Sequence, residues 1–250
     1  MNNTILRAMQ ILNYIGDCSD GVTLQSIANQ FSIPKSSAYV IVQSMLELGY
    51  IEPSPYNNKR YCLGIKAFTL GMKYANNMDW VHQCSTYLNP LADKYNKTGF
   101  VSVLNGSMIV YVGKYVAPNA VLTSCPLGSR KASYATAAGK AILAFLPQQE
   151  LDQVLDSMQF EPLAERTITS KECLLPELEE IRRKGYAQAR REDSNISCCC
   201  GAPVFDYTGR VIGGISLTDV YHPEYDDDLV AADLLEASRK ISHNLGYQGR

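Results

Sequence analysis

Three groups of residues in this 250-residue chain have types and spacings that could do chemistry. Lys35, Ser36, Ser37, Tyr39, Val40 and Gln43 are the positions left on the outer face of a helical segment once its apolar residues are set aside. Lysine, serine, tyrosine and glutamine are side chains that meet phosphates and base edges in a DNA groove. Asn57-Asn58-Lys59-Arg60 follows at a turn, where Lys59 and Arg60 suit a backbone or minor-groove contact.

The second group is Ser197, Cys199, Ser216 and Thr218. With Asp206-Tyr207-Thr208-Gly209 as a hairpin turn, Phe205 is expected opposite Arg210, Cys199 opposite Ser216, and Ser197 opposite Thr218. Alternate residues share a face, so the four lie together. They suit a pocket that hydrogen-bonds a small ligand; the alternative is a solvent-facing sheet surface, and a one-residue slip scatters them. The third group, Tyr134-Ala135-Thr136-Ala137-Ala138-Gly139-Lys140, opens a helix with small side chains. Its free N–H groups and dipole attract an anion; simple close packing is the competing reading. A phosphate loop is excluded, because Tyr134 takes the first glycine position and Ala141 follows the lysine.

No His, Asp or Glu stands in recognisable relation to a Ser or Cys nucleophile, so no catalytic residue and no enzyme is expected. Eight cysteines and three histidines include no Cys-x-x-Cys pair. Cys198, Cys199 and Cys200 alternate faces on a strand and cannot surround one ion unaided, so neither metal nor cofactor is expected. Buried free thiols are the first reading of the triplet, and a redox or metal sensor the competing one. Glu224, Asp226, Asp227 and Asp228 read as the acidic opening of the last helix.

Particular elements must position these groups. Thr23 can cap a helix bearing Leu24, Ile27, Ala28 and Phe31, and Ser32-Ile33-Pro34 breaks it. A second helix carries Ala38, Ile41, Met45 and Leu48 inward and ends at Gly49. That is a helix-turn-helix, with Ile33 plugging the turn. Tyr50-Ile51 and Arg60–Leu63 are expected as strands of a wing, with residues 53–59 as the turn. Ile5, Met9, Leu12 and Ile15 form an opening helix, and Ile65, Phe68, Met72 and Ala75 a helix leading out. Beyond Asp79, expected elements are a helix to Tyr95 containing Pro90, a hairpin about Asn105-Gly106, and a strand over Ala120–Ser124. Helices over Ala135–Leu146, after Pro147, and from the Ser170 cap to Gly185 follow. Strands at Tyr186–Arg190, Ser197–Phe205 and Arg210–Thr218 and a closing helix through Leu245 complete an α+β domain. The expected division is 1–63 for a winged helix-turn-helix domain, 64–78 for a linker helix and 79–250 for a ligand domain.

No apolar run approaches the roughly 20 residues of a membrane span, and the N-terminus lacks a secretion pattern, so the cytoplasm is expected. A net charge of −2 argues against bulk electrostatic attraction to nucleic acid. Through Leu63, Arg7, Lys35, Lys59 and Arg60 are matched by Asp17, Asp20, Glu47 and Glu52. One such module is a weak binder, so a dimer engaging two half-sites is expected.

Five segments in order resemble the IclR family of bacterial transcriptional regulators over nearly the whole chain. They are Leu6–Leu12; Pro34–Tyr39 with Leu48–Ile51; Arg60–Gly64; Ala135–Ala144; and Ala202–Asp206. The resemblance implies a winged helix-turn-helix, a linker helix and a GAF-like effector domain that takes a small, often carboxylate-bearing metabolite. It further implies double-stranded operator DNA as partner and a homodimer or dimer of dimers. Carried over by position, the effector pocket maps to Thr123, Ala137, Ala138, Ser197, Cys199, Ser216 and Thr218. Two departures stand out: Val40 replaces a common arginine, and Ala189 or Arg190 replaces an acidic residue near the pocket. Arg190 or Arg191 either pairs a ligand carboxylate or is a surface residue. The function expected is a ligand-responsive repressor of a catabolic operon that senses a small organic or sugar acid. The competing expectation is a small-molecule enzyme or thiol sensor.

Overall fold

Residues 3–121, 125–223 and 227–249 are described by the computed structural model. They divide into two compact units, Met1–Met78 and Asp79–Arg250.

In the first unit, α1 (Asn3–Gly16), α2 (Leu24–Gln30) and α3 (Lys35–Glu47) enclose Ile11, Ile15, Ile27, Ala28, Ile33, Ala38, Val42 and Met45. Thr23 caps α2 reciprocally: Ser26 N donates to its hydroxyl at 3.1 Å, and Thr23 N donates to Ser26 Oγ at 2.9 Å. Ser32, at φ 49, turns the chain, and buried Ile33 fills the space beneath. Two expected faces change. On α3 the stripe Ala38-Val42-Met45 points inward, while Ile41 is half-buried and Leu48 exposed. Steps of three and four residues fit 38-41-45-48 as well as 38-42-45, so packing against the neighbouring helices selects Val42, and Leu48 lies at the C-cap just past the end of α3. On α1, Ile11 and Ile15 are buried, whereas Ile5 and Met9 are exposed.

The wing is an antiparallel sheet ordered β1-β3-β2, from β1 (Val22–Thr23), β2 (Ile51–Ser54) and β3 (Asn57–Leu63). Its strands are longer than the sequence suggested and its tip shorter, with only Pro55-Tyr56 between Ser54 and its partner Asn57. Pro53 is tolerated because β2 is an edge strand. The helix α4 (Ile65–Asn76) follows and buries none of its residues.

The second unit is built on a six-stranded antiparallel sheet ordered β6-β5-β4-β9-β8-β7. Its strands are β4 (Thr98–Asn105), β5 (Met108–Val116), β6 (Arg130–Ala132), β7 (Ala187–Arg190), β8 (Ser197–Phe205) and β9 (Val211–Val220). Helices α5 (Asp79–Tyr95) and α9 (Asp227–Asn244) cover one face, over Cys200, Ala202, Val204, Ile215 and Leu217. The other face carries α6 (Ala137–Ala144), backed by α7 (Gln148–Asp156) and α8 (Lys171–Lys184). Ser170 caps α8 and Gly185, at φ 85, ends it, as their spacing required. Asp227 and Asp228 open α9; Glu224 and Asp226 lie outside the described residues.

Three expectations need correction here. Ala120 and Val121 are not in a strand, and residues 122–124 lie outside the described residues; the edge strand is β6. The helix expected from Ala135 begins at Ala137, because residues 133–135 form a 3-10 turn and Thr136 is the cap, its hydroxyl accepting from Gly139 N at 3.2 Å. In the β8–β9 hairpin, Phe205 pairs with Val211, Cys199 with Thr218 and Gly201 with Ser216. The turn takes in Arg210, whose carbonyl accepts from Asp206 N, and a bulge follows between Val204 and Phe205. The two irregularities together slip the register by two. An even slip preserves facing, so Ser197, Cys199, Ser216 and Thr218 still share the α6 side.

Candidate effector cavity and nucleic-acid interface

Helix α6 lies almost in contact with the sheet. A Cβ at Gly201 would stand 2.4 Å from the Ala137 carbonyl carbon and 2.5 Å from Ala138 N. That contact accounts for Gly201; Ala137 and Ala138 are themselves buried, and neither lines the adjoining cavity. What α6 contributes to that cavity is its N-terminal end, through Thr136.

The cavity measures about 160 Å³. Ser197, Cys199 and Thr218 form its floor, Phe100 and Tyr111 one wall, and Lys131, Asp193, Ser194 and Ile196 its rim. Three of the expected effector residues are thus brought together. Ser216 is buried on the same face but outside the lining, and Thr123 lies outside the described residues. The Phe100 and Tyr111 rings pack with centroids 4.3 Å apart. Burial raises the Tyr111 phenol, so it is a neutral donor at physiological pH. Burial also pushes the Cys199 thiol up to about 12, against a smaller lowering by the Thr218 hydroxyl. The floor is therefore uncharged.

The charge sits at the rim. Lys131 Nζ donates to Asp193 Oδ2 at 2.9 Å. Partial burial pulls the Lys131 ammonium down, and the hydrogen bond and charge of Asp193 more than reverse it, so the group is raised and stays protonated. Sequence reasoning overlooked this lysine, because β6 is three residues long and has no periodicity. The arginines considered instead are engaged elsewhere: Arg190 Nε donates to Asp227 at 2.7 Å, and Arg191 pairs with Glu165. Ala189, opposite Cys199, is buried among the α6–α8 contacts. Lys140, buried, is held by Glu177 at 3.1 Å and Glu192 at 2.8 Å.

Around the cysteine triplet, Cys198 and Cys200 face α9, and their thiols donate to the carbonyls of Val220 and Asp227. Burial raises both, Cys198 to about 11. Thiols held protonated are poor nucleophiles and poor metal ligands. Among the described residues no group of three or more His, Cys, Asp or Glu side chains could hold a metal ion.

In the first unit Lys35, Ser36, Ser37, Tyr39 and Val40 are exposed on α3, and Gln43 is half-buried. Lys59 is exposed on β3, where its backbone N–H donates to Asn57 Oδ1. Arg60 is half-buried and donates to Gly21 O at 2.9 Å, tying β3 to the loop before β1. Tyr56, at the wing tip, is 97% exposed.

A winged helix-turn-helix joined to a GAF-like α+β domain with a small polar cavity is the architecture of a DNA-binding transcriptional regulator. The matches agree. Residues 4–55 match the IclR helix-turn-helix domain, and residues 72–243 match the bacterial transcriptional regulator IclR C-terminal domain. The chain belongs to the IclR family. It is 31% identical to the HTH-type transcriptional regulator KdgR of Escherichia coli, over 98% of this chain and 93% of that one. With the HTH-type transcriptional regulator XynR of the same organism it shares 28% identity, over 98% and 97%. The crystal structure of Thermotoga maritima IclR superposes with a TM-score of 0.77 at 29% identity, covering 99% of this chain and 100% of that one. No helix among the described residues is long and apolar enough to cross a membrane.

Proposed function

We propose that this regulator is a cytoplasmic repressor of a catabolic operon and that a small organic or sugar acid bound in the cavity relieves or sets its hold on the operator. The observation that carries this reading is the 160 Å³ cavity itself. It lies below the 300 Å³ or more of drug-sized ligand sites, which favours a small metabolite. Its serine, threonine and phenol groups suit a hydroxylated ligand, and the N-terminal end of α6 suits an anionic one. The uncharged thiol floor weighs against nucleophilic chemistry or thiol sensing.

On DNA, Lys35, Ser36, Ser37, Tyr39 and Gln43 would face the major groove, with Lys59 on the wing. Arg60 is the weaker candidate, since its guanidinium already serves Gly21. Two modules in a homodimer, or four in a dimer of dimers, would engage half-sites about 34–36 Å apart. Support for self-association comes from the exposed apolar residues of α1 and α4, Ile5, Met9, Ile65, Phe68 and Met72 among them. Effector binding would shift the population between dimer forms that space their recognition helices differently. The domain division 1–63, 64–78 and 79–250 assigns α4 as the linker that transmits the change.

A gel shift on the promoter beside the gene tests the reading. Lys35→Ala and Tyr39→Ala should abolish the salt-sensitive specific complex while effector affinity stays at the wild-type level. A promoter whose output does not rise on deleting the gene counts against repression.

A further inference from the structure

Lys131 is the one cation, and Asp193 the one carboxylate, among the described residues lining the cavity. Their side chains are 31% and 18% exposed, so the pair sits half in solvent at the rim. Both also line a larger cleft of about 450 Å³ beside β6, which places them where the cavity meets the outside. Asp193 belongs to the connection 191–196 between β7 and β8. Side chains hold that connection through Glu192 on Lys140, Asp193 on Lys131, and Asn195 Oδ1, which accepts from Glu165 N at 2.8 Å. Its backbone is held as well, the Glu192 carbonyl accepting from Thr167 Oγ1 at 2.6 Å and the Ile196 carbonyl from Tyr221 N at 2.9 Å. Ser194, Ile196 and Ser197 continue the same connection along the rim and floor. Of these side-chain pins, only the Asp193 one reaches the cavity.

We propose that Lys131 is the receptor for the effector's carboxylate and that Asp193 competes with the ligand for this one ammonium, so that an incoming acid displaces Asp193 and loosens the β7–β8 connection where it borders the cavity. The inference rests on the effector-cavity reading above and adds the ligand's charged handle and the segment it moves. Exchange of one carboxylate for another keeps Lys131 paired, which avoids the large cost of stranding a half-buried charge. Asp193 sits at the cavity mouth, where it can pass into water. The exchange is nearly balanced, so net affinity comes from the neutral groups below, and selectivity for acids comes from the rim. A neutral ligand of the same size leaves the pair intact and the connection pinned. The competition also lowers apparent affinity by the fraction of molecules in which Asp193 holds the lysine.

The test is calorimetric titration of the full-length protein with lactate and gluconate, and with their neutral counterparts lactamide and sorbitol. Wild type, Lys131→Gln, Asp193→Asn and the double variant are compared, with their thermal midpoints recorded as a check on folding. Asp193→Asn should bind the acids roughly tenfold tighter, because the internal competitor is gone. Lys131→Gln should weaken acids by roughly tenfold or more through loss of the charge-assisted bond. The double variant should lose the Asp193→Asn gain, and the neutral compounds should respond to none of the changes. A merely structural pair would shift acids and neutral compounds alike, which overturns the proposal. Acid binding of equal strength in all four proteins, or no acid binding even in Asp193→Asn, overturns it too. Should operator affinity change with a neutral compound alone, Lys131 loses its role while the effector cavity stands. If operator affinity ignores every compound and none binds, the underlying reading falls with it.

Discussion

Two residues show how burial governs chemistry in the second unit. Cys199 faces the cavity, yet its thiol is held near 12 by desolvation. Near neutral pH this reduces its thiolate fraction roughly a thousandfold below that of an ordinary thiol. Ellman's reagent at pH 8 should therefore label exposed Cys173 first, with the triplet reacting only on unfolding or far above neutral pH. Fast labelling of Cys199 in the native protein would contradict this environment. Lys140 presents the complementary case, a buried cation between Glu177 and Glu192. Glu192 Oε1 accepts from Nζ at 2.9 Å, whereas Oε2 lies close to Nζ without hydrogen-bond geometry. Burial raises the Glu192 carboxyl despite the lowering by Lys140. Lys140→Met leaves that carboxylate buried without its cation and should cost about 3–5 kcal/mol in urea unfolding at pH 7. The sign with pH follows from linkage. A carboxyl whose folded value is raised further loses stability as pH climbs from its ordinary 4.5 through the raised value. The deficit of Lys140→Met should accordingly shrink on acidification to pH 4 and be largest above neutrality.

At the scale of elements, the decisive contact is α6 against β8. Gly201 lets the helix backbone rest on the strand, and a methyl group there meets backbone atoms that cannot rotate away. Gly201→Ala should lower stability by about 1–3 kcal/mol and enlarge the cavity mouth at Thr136, weakening ligand binding as well. A variant with wild-type midpoint and affinity would show that α6 has slack. The same elements explain what could be read in advance. The caps at Thr23 and Ser170, the stop at Gly185 and the bounds of β8 were legible because local hydrogen bonding and glycine conformation fix them. The recognition helix was legible too, though its inward stripe runs through Val42 rather than Ile41, a choice made by tertiary packing between two apolar neighbours. Register was not legible, since one extra turn residue and one bulge leave no mark in a pattern of period two. The floor of the cavity survived that error by parity alone. Its rim could not be read, because Lys131 and Asp193 meet across 62 positions of sequence on a short edge strand and a connection.

For the whole molecule, the question is how a chain of net charge −2 holds DNA. A single module offers few phosphate contacts, and Arg60 is partly spent on Gly21. The remedy proposed above is duplication, and α4 offers a surface for it. It has an amphipathic pattern, buries none of its residues, and leaves Phe68 62% and Met72 40% exposed. A helix with that pattern in water is incomplete without a partner. Phe68→Glu combined with Met72→Glu should therefore give a monomer by sedimentation, folded because the core of the first unit contains neither residue. Each module then binds alone, so the slope of log affinity against log salt should fall to about half, in proportion to the phosphates contacted. Specific operator affinity should drop far more than twofold, since the second half-site no longer benefits from a high effective concentration. Ligand binding to the second unit should be retained, because none of the residues lining its cavity lies on α4. A double variant that remains dimeric would move the self-association surface elsewhere. A monomer that still holds the operator with the wild-type slope would show that one module suffices, and that the charge balance had been misjudged.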